Sequence, residues 1–403
     1  MKTVKFFTLG CKVNQYDTQE IRERFLARGF RELDNGGRAG TYVINTCTVT
    51  GKADAESLSL IRRAVRENPA AKVIVTGCLT ELDKDRIRCA FSRAVIVDNK
   101  DKGAILSGRQ GVTSFCGHTR AFLKIQDGCD NFCSFCKVPL VRGRSKSKPL
   151  AQLKREAEAL AANGFREIVI TGICLGAYGK DLKPARTLCD AVSAVEGVNG
   201  VMRIRLSSIE AGDVSGGLIA KIASSAKLCR HLHIPIQSGD DTVLKKMNRR
   251  YNRKSYLALI NKIKKRVPGI AITADVLVGF PGEGEAEFRN TLELVRKISP
   301  LKVHIFPYSK RQGTKAEGLS GAADPRIVKE RAARLRSLSQ KSSLVYKKRF
   351  LNKVLPVLFE ERPKGRPGHW EGYTDNYMRV CICSSRNLAN QLIPVKINTR
   401  NLL

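Results

Sequence analysis

The sequence predicts an α/β protein in several parts. An N-terminal open parallel α/β domain (1–118) precedes a central partial (βα)6 barrel (119–325). A basic helical connector (326–349) leads to a small C-terminal β-barrel (350–403). Three observations carry this reading. In the first third, three apolar runs each end in a cysteine, with helical segments between them. From about residue 119, six more apolar runs alternate with helical stretches. After residue 350 the helical periodicity gives way to short strand-like runs punctuated by Gly and Pro.

The first runs are "VKFFTLGC", "TYVINTC" and "KVIVTGC", ending at Cys11, Cys47 and Cys78. The gaps of 36 and 31 residues suit a strand, a helix and two loops. Between them, "DTQEIRERFLARGF" carries Ile21 and Phe25 on one helical face and ends at Gly29. "KADAESLSLIRRAVRENP" carries Leu58, Ile61 and Val65 and stops at Pro69. The C-terminal ends of parallel strands share one edge, and ligands bind there. Three thiols far apart in sequence are therefore expected close together in space. The alternative is three strand-end cysteines that simply pack well.

The six central runs are "AFLKIQ" (121–126), "EIVITG" (167–172), "MRIRLSS" (202–208), "LHIPIQS" (232–238), "ITADVLVGF" (272–280) and "KVHIFPY" (302–308). Such a series suggests a full or partial barrel with its chemistry at the strand C-terminal face. "PRIVKERAARLRSLSQKSSLVYKKR" (325–349) reads as the basic helical connector. "VLPVLFEE", "YMRVCICS" and "LIPVKIN" read as strands of the last domain, with "RPKGRPGHWEGYTDN" as Gly/Pro-punctuated chain.

Composition restricts the partners. Lys plus Arg number 72 against 37 Asp plus Glu, a formal net charge of +35. That excess repels itself unless an anion offsets it, which points to a nucleic acid. Basic residues spread over solvated faces are the bland alternative. No apolar run reaches the roughly 18 residues of a membrane helix, and the N-terminal apolar stretch is too short for a signal segment. The expectation is a cytoplasmic protein without membrane association. Its thirteen cysteines then point to metal or redox chemistry rather than disulfides.

"DGCDNFCSFCKVP" (127–139) places Cys129, Cys133 and Cys136 at C-x3-C-x2-C spacing. A helical stripe would share this spacing, but Gly128, Asp130, Asn131 and Pro139 favour a loop after the first barrel strand. Zinc would want a fourth Cys or His, and none follows at finger-like spacing. A 4Fe-4S cluster held by three thiolates leaves one iron open. Phe135 could pack against the cluster or its cofactor.

C-x3-C-x-aromatic-C after the first strand of a βα barrel resembles the radical S-adenosylmethionine (SAM) enzymes. The wider pattern resembles their methylthiotransferase family over essentially the whole chain. The matching stretches include "NTCTVT" (45–50), "RGRSKSKP" (142–149), "RIRLSSIE" (203–210), "HIPIQSGDD" (233–241), "VLVGFPGE" (276–283) and "YSKRQGTKAEG" (308–318). "GYTDNYMRV" (372–380) resembles the RNA-binding TRAM domain. The resemblance implies two 4Fe-4S clusters, one on Cys129, Cys133 and Cys136 with SAM, the other on Cys11, Cys47 and Cys78. It implies sulfur insertion and methylation at an aromatic C–H of a tRNA base near the anticodon. An electron donor such as flavodoxin or ferredoxin is implied, with the sulfur donor unspecified.

"LGCKVNQYDT" resembles the branch acting at C2 of N6-threonylcarbamoyladenosine. The branches acting on isopentenyladenosine and on a ribosomal-protein aspartate tend to show other residues after this cysteine. A zinc-containing RNA-binding protein is the non-enzyme alternative. Cys174 stands where the family more often has Asn or His, Gly284 where Thr is common and Ala211 where Pro is common. The segment around Ser57 also lacks a usual Arg. None of these departures removes a cluster cysteine.

By the same resemblance Gly172, Ser208, Glu210 and Gln237 are candidate SAM contacts at strand ends. Gly279 would let backbone approach the adenosyl group, or simply turn the chain. Arg142 and Arg144 could bind phosphates or the carboxylate of SAM, or sit on a solvated face. Tyr373, Asn376, Tyr377 and Arg379 combine rings and polar groups as RNA-binding surfaces do, or the tyrosines close a barrel core. His231 and His233 suit a core or SAM-pocket role better than zinc. Cys89, Cys116, Cys189, Cys229, Cys381 and Cys383 are expected to be structural.

Overall fold

The computed structural model describes residues 2–33, 36–105 and 111–403. Strands β1 (Thr3–Thr8), β2 (Arg31–Glu32), β3 (Thr41–Thr46), β4 (Lys72–Gly77) and β5 (Ala94–Ile96) form one sheet in the order β2-β1-β3-β4-β5. Every pairing in it is parallel. Helices α1 (Lys12–Ala27), α2 (Gly51–Glu67) and α3 (Lys84–Ala90) make the crossovers. The Thr50 side chain caps α2 by accepting from the Ala53 amide, and Leu58 and Ile61 seal it onto the sheet.

α1 differs from α2. It buries Asn14, Asp17, Thr18 and Gln19 as well as Val13, Tyr16, Ile21 and Phe25. One side packs on the N-terminal sheet and the other on β6 (Ala121–Lys124), the first strand of the central domain. Wedged between two domains, most of this helix is hidden from water, so its buried polar side chains need partners from both.

The central domain continues with β7 (Gln126–Asp127), α4 (Val138–Arg142), β8 (Lys146–Ser147), α5 (Leu150–Ala162), β9 (Glu167–Thr171), α6 (Leu188–Glu196) and β10 (Arg203–Leu206). Next come α7 (Gly216–Ser224), β11 (His231–His233), α8 (Asp241–Lys246), α9 (Arg253–Arg266), β12 (Ala271–Val278), α10 (Glu285–Ile298) and β13 (Lys302–Pro307). Six of these strands lie parallel in chain order, as two triplets, β6-β9-β10 and β11-β12-β13. Two isolated parallel bridges, Ile204–Leu228 and Ser208–His233, link the triplets. β6 and β13 do not pair, so the barrel is open on one side. The short hairpin of β7 and β8 pinches together the base of the cysteine loop.

α11 (Pro325–Lys348) packs on β13 and α10, with Arg331 buried against Glu283. The last domain is a curled antiparallel sheet, β16-β15-β14-β17, of β14 (Val354–Glu361), β15 (His369–Thr374), β16 (Arg379–Cys383) and β17 (Leu392–Lys396). The chain end continues the curl, the Cys381 amide donating to the Asn401 carbonyl at 2.8 Å. β15 lies in the stretch expected to be Gly/Pro-punctuated chain. Its Gly372 is required by the pairing, because a Cβ there would come 2.3 Å from the Leu358 carbonyl oxygen.

Candidate active site

Cys47 and Cys78 each follow the last residue of a strand, β3 and β4, and the Cys78 amide donates to the Thr46 carbonyl at 3.1 Å. Cys11 follows β1 by three residues and precedes α1. The Asn14 side chain ties these ends together, its Nδ2 donating to the Leu9 carbonyl at 2.7 Å and the Thr46 carbonyl at 2.9 Å. Gly10 has φ +99°, and a Cβ on it would come 2.8 Å from the Cys47 sulfur. That cradle brings the Cys11 loop against Cys47. Burial pushes the Cys47 thiol up to about 11, and the neighbouring sulfurs of Cys78 and Cys11 add to the effect. Burial also raises Cys78, partly offset by the Arg142 guanidinium beside it.

The second set lies in the loop between β7 and α4. Gln126 organises its base. Its Nε2 donates to the Gly128 carbonyl at 2.7 Å, and its Oε1 accepts from the Cys174 amide at 2.8 Å. This ties the loop to the end of β9. Gly128 has φ +75°, and a Cβ there would come 2.0 Å from the Arg144 carbonyl oxygen. The segment after α8 holds the far side. Asn248 Nδ2 donates to the Phe132 carbonyl at 3.0 Å, and the Ser134 amide donates to the Met247 carbonyl at 3.1 Å. Arg249 Nη1 approaches the Cys133 sulfur at 3.2 Å and also pairs with Glu210.

Burial raises Cys133 and pushes Cys136 up to about 12. Cys129 goes the other way, to about 7, because the Cys174 thiol hydrogen-bonds to it. Cys174, the departure from the usual family pattern, thus adjoins the cysteine loop. Its sulfur lies 3.5 Å from Asn131 Nδ2 and 3.6 Å from Asp213 Oδ2.

Arg142 follows Cys136 by six residues and reaches the N-terminal domain beside Cys78. Its side chain is 2% exposed. Nη1 donates to both Asp127 oxygens, at 2.8 and 2.9 Å, and Nη2 to Asn14 Oδ1. Its charge also bears on Cys78 and Cys11. The expectation that Arg142 meets a phosphate is therefore corrected, because the guanidinium is buried and fully committed to internal acceptors. Arg144 is exposed, pairing with Asp130 at 3.0 Å.

Several other placements differ from expectation. Gly279 has φ +79°, and its missing Cβ makes room for Val328 of α11 at 2.5 Å, so the close approach is to a helix rather than to an adenosyl group. Phe135 packs with Val243, Met247 and Phe280, in an apolar cluster under the loop. Tyr373, Asn376 and Tyr377 do not form an open RNA surface. Tyr377 lies over His231 at 4.6 Å and beside Tyr373 at 5.2 Å. The Asn376 side chain is buried and accepts from Thr374 Oγ1. Arg205 donates to the Asp375 and Thr374 carbonyls, and Arg203 to the Tyr373 carbonyl. These residues join the last domain to the N-terminal ends of the barrel strands. Arg379 is half-exposed and pairs with Glu371.

Ser208, Glu210, Gln237 and Gly172 lie at or just beyond strand C-terminal ends, where the sequence placed them. His231 and His233 both reach Thr273 Oγ1 at 2.9 Å. Cys89, Cys116 and Cys383 are exposed, so core packing does not account for them. Arg249, Gln126 and Arg311 escaped the sequence reading. Paired arginines in "MNRRY" after a short helix were the available signal for Arg249.

The donor chemistry suits iron–sulfur clusters. Each set offers three free thiols at a strand-end edge and a glycine cradle that a Cβ would fill. Among the described residues no three His, Cys, Asp or Glu side chains are gathered as they would be round a single metal ion. The radical SAM superfamily model matches residues 123–295, and an uncharacterized protein family, UPF0004, matches residues 3–98. The threonylcarbamoyladenosine tRNA methylthiotransferase MtaB of Bacillus subtilis is 39% identical, over 98% of this chain and 94% of that one. The protein of the same name from Thermotoga maritima is 37% identical, over 94% and 91%. The tRNA-2-methylthio-N(6)-dimethylallyladenosine synthase of Clostridium tetani is 30% identical, over 97% and 92%. Among solved structures, the radical SAM methyltransferase TsrM from Kitasatospora setae shares the fold, with a TM-score of 0.56 at 14% identity over 79% of this chain and 77% of that one. With relatives this similar over nearly their whole length, the chain belongs to the radical SAM tRNA methylthiotransferase family.

Proposed function

We propose that this enzyme methylthiolates C2 of N6-threonylcarbamoyladenosine beside the anticodon of tRNA. Cys129, Cys133 and Cys136 hold the SAM-binding 4Fe-4S cluster, and Cys11, Cys47 and Cys78 hold a second. The observation that carries the reading is the pair of three-thiol sets near the C-terminal ends of strands in two parallel sheets, with Arg142, six residues beyond Cys136, beside Cys78. Three thiolates per cluster leave one iron open, for SAM in one set and for sulfur in the other. The bound groups supply a radical able to remove an inert aromatic hydrogen, and the sulfur that replaces it.

The protein's part is to bind and orient. Burial keeps Cys47 and Cys136 as thiols at neutral pH, so cluster loading must release their protons. Arg249, Glu210, Asn131 and Asp213 line the mouth of the SAM-side loop, where Glu210 and Arg249 offer a paired acceptor and donor. Ser208, Gln237 and Gly172 stand on the same edge. The formal charge of +35 suits a polyanionic substrate. With Tyr373, Asn376 and Tyr377 held in the domain joint, the phosphate contacts fall to exposed side chains such as Arg144 and Arg379. A one-electron donor such as flavodoxin or ferredoxin completes the set of partners.

The relatives named for threonylcarbamoyladenosine reach 39% identity, against 30–31% for those named for dimethylallyladenosine. That difference favours the first substrate. Nucleoside mass spectrometry of tRNA from a deletion strain tests it. The methylthio-threonylcarbamoyl nucleoside should vanish and return on complementation. Loss of the methylthio-dimethylallyl nucleoside instead would favour the second substrate.

A further inference from the structure

Two buried arginines of the central domain reach the N-terminal domain, each within a few residues of its cysteines. Arg142 extends from α4, six residues beyond Cys136, and grips Asn14 and Asp17 of α1. Asn14 is the side chain that ties the Cys11 loop to the end of β3. Arg311 extends from the loop after β13, at the other end of the strand series. Its Nη2 donates to the Thr48 carbonyl at 3.0 Å, to Thr48 Oγ1 at 3.0 Å and to Asp54 Oδ2 at 2.5 Å. Thr48 directly follows Cys47, and Asp54 lies in the first turn of α2. The Arg311 side chain is 8% exposed and that of Asp54 19%.

We propose that Arg142 and Arg311 form a two-point clamp that fixes the second cysteine set opposite the SAM-side set. The inference rests on the two-cluster reading above. The two arginines come from the first and last loops of the barrel, beside its unpaired edge strands. Each grips backbone or side chains that shape a cysteine loop rather than a remote surface. Arg142 spreads its fork, Nη1 on Asp127 and Nη2 on Asn14, which fixes orientation as well as distance, while Arg311 gathers its three acceptors on Nη2. Two such contacts, on Asn14 and on Thr48, restrain rotation of the N-terminal domain about either one. Transfer of sulfur to a substrate radical needs that placement, because small misplacements of reacting groups cost large factors in rate. SAM cleavage occurs wholly within the central domain and does not need it. Arg142 and Arg311 are therefore positioning residues.

The test uses reconstituted holoenzyme with both clusters reduced, comparing wild type with Arg311→Gln, Arg311→Lys, Asp54→Asn and Arg142→Lys. Low-temperature electron paramagnetic resonance reads the magnetic interaction between the clusters. Products are read as 5′-deoxyadenosine formed per methylthiolated nucleoside. The interaction should weaken in Arg311→Gln and Asp54→Asn at unchanged iron content, and the product ratio should rise about tenfold or more. Arg311→Lys should recover part of both. Combining Arg311→Gln with Asp54→Asn should add little to Arg311→Gln alone, which already removes the Asp54 contact together with both Thr48 contacts. Arg142→Lys keeps the charge near Cys78, so a weakened interaction there marks the loss of orientation. Unchanged interaction and unchanged ratio in the Arg311 and Asp54 variants would overturn the clamp alone. Wild-type iron near four per chain, rather than about eight, would overturn the two-cluster reading and the clamp together.

Discussion

The Arg249 guanidinium sits 3.2 Å from the Cys133 sulfur while pairing with Glu210. The arginine thus bridges a candidate cluster cysteine and a candidate SAM contact. A cation beside a thiolate ligand would stabilise the more negative, reduced cluster, and Nη2 on Glu210 holds that carboxylate. Glu210 is itself raised by burial, which Arg249 partly opposes. Arg249→Gln is expected to lower the rate of SAM cleavage about 10- to 100-fold, the usual range for partners behind metal ligands. It should also lower the reduction potential of the SAM-side cluster. Rate measurements of 5′-deoxyadenosine formation and a redox titration check both; a normal potential would show that Arg249 acts on SAM alone.

Asp17 carries the buried charge at the domain boundary. Burial alone would raise its carboxyl. Lys102, Lys124 and Arg142 around it instead hold it far below its ordinary 3.8. A carboxyl depressed in the folded state adds stability that is complete above its unfolded value and drains away as pH falls below it. Asp17→Asn leaves three cations facing a neutral amide, so at pH 7 it should cost about 3–5 kcal/mol. The difference from wild type should narrow as pH falls below about 4. Unfolding of cluster-free protein across pH 3–7 measures this. A difference independent of pH would mean that packing, not charge, is lost.

Much of this arrangement was legible in the sequence, and what escaped it has definite causes. β1, β3 and β4 announced both their direction and their ligand edge, because each apolar run ends at or near a cysteine. The open barrel was likewise readable from strand–helix alternation. β15 was not, because "HWEGYT" holds no run of β-branched residues and lies among Gly and Pro. The contacts of Arg249 and Arg311 escaped the sequence because their partners lie 116 and 263 residues away. "GYTDNYMRV" left two roles open for another reason. Tyrosines beside arginines look alike in sequence whether they stack on bases or, as here, on Arg205 and His231 across a domain joint.

That joint makes its own prediction. Arg205 and Glu167 are both buried and pair at 2.7 Å, and the arginine also holds two carbonyls of the last domain. Arg205→Ala would leave the Glu167 carboxylate buried without its best partner, at a cost of about 3–5 kcal/mol. It should also free residues 350–403 from the barrel. Limited proteolysis should then cut near residue 349 far faster than in wild type. tRNA affinity should fall through misplacement of the domain, with the salt dependence unchanged, because no phosphate contact is removed. A reduced salt slope would show instead that Arg205 itself meets the RNA.

Gly10 separates the two cysteine sets most cleanly. At φ +99° any other residue is strained, and its Cβ would come 2.8 Å from the Cys47 sulfur. Gly10→Ala should therefore push Cys47 and the Cys11 loop apart without touching the central domain. Its expected phenotype matches that of Cys11→Ala, Cys47→Ala or Cys78→Ala: about four irons per chain, SAM cleavage retained and methylthiolation lost. Cys129→Ala, Cys133→Ala or Cys136→Ala should abolish SAM cleavage itself. Iron analysis with parallel assays of 5′-deoxyadenosine and modified nucleoside distinguishes these outcomes. If Gly10→Ala kept about eight irons and full methylthiolation, the Cys11 loop would not be part of the sulfur-supplying site. If it lost SAM cleavage as well, the two sets would not divide the reaction as proposed.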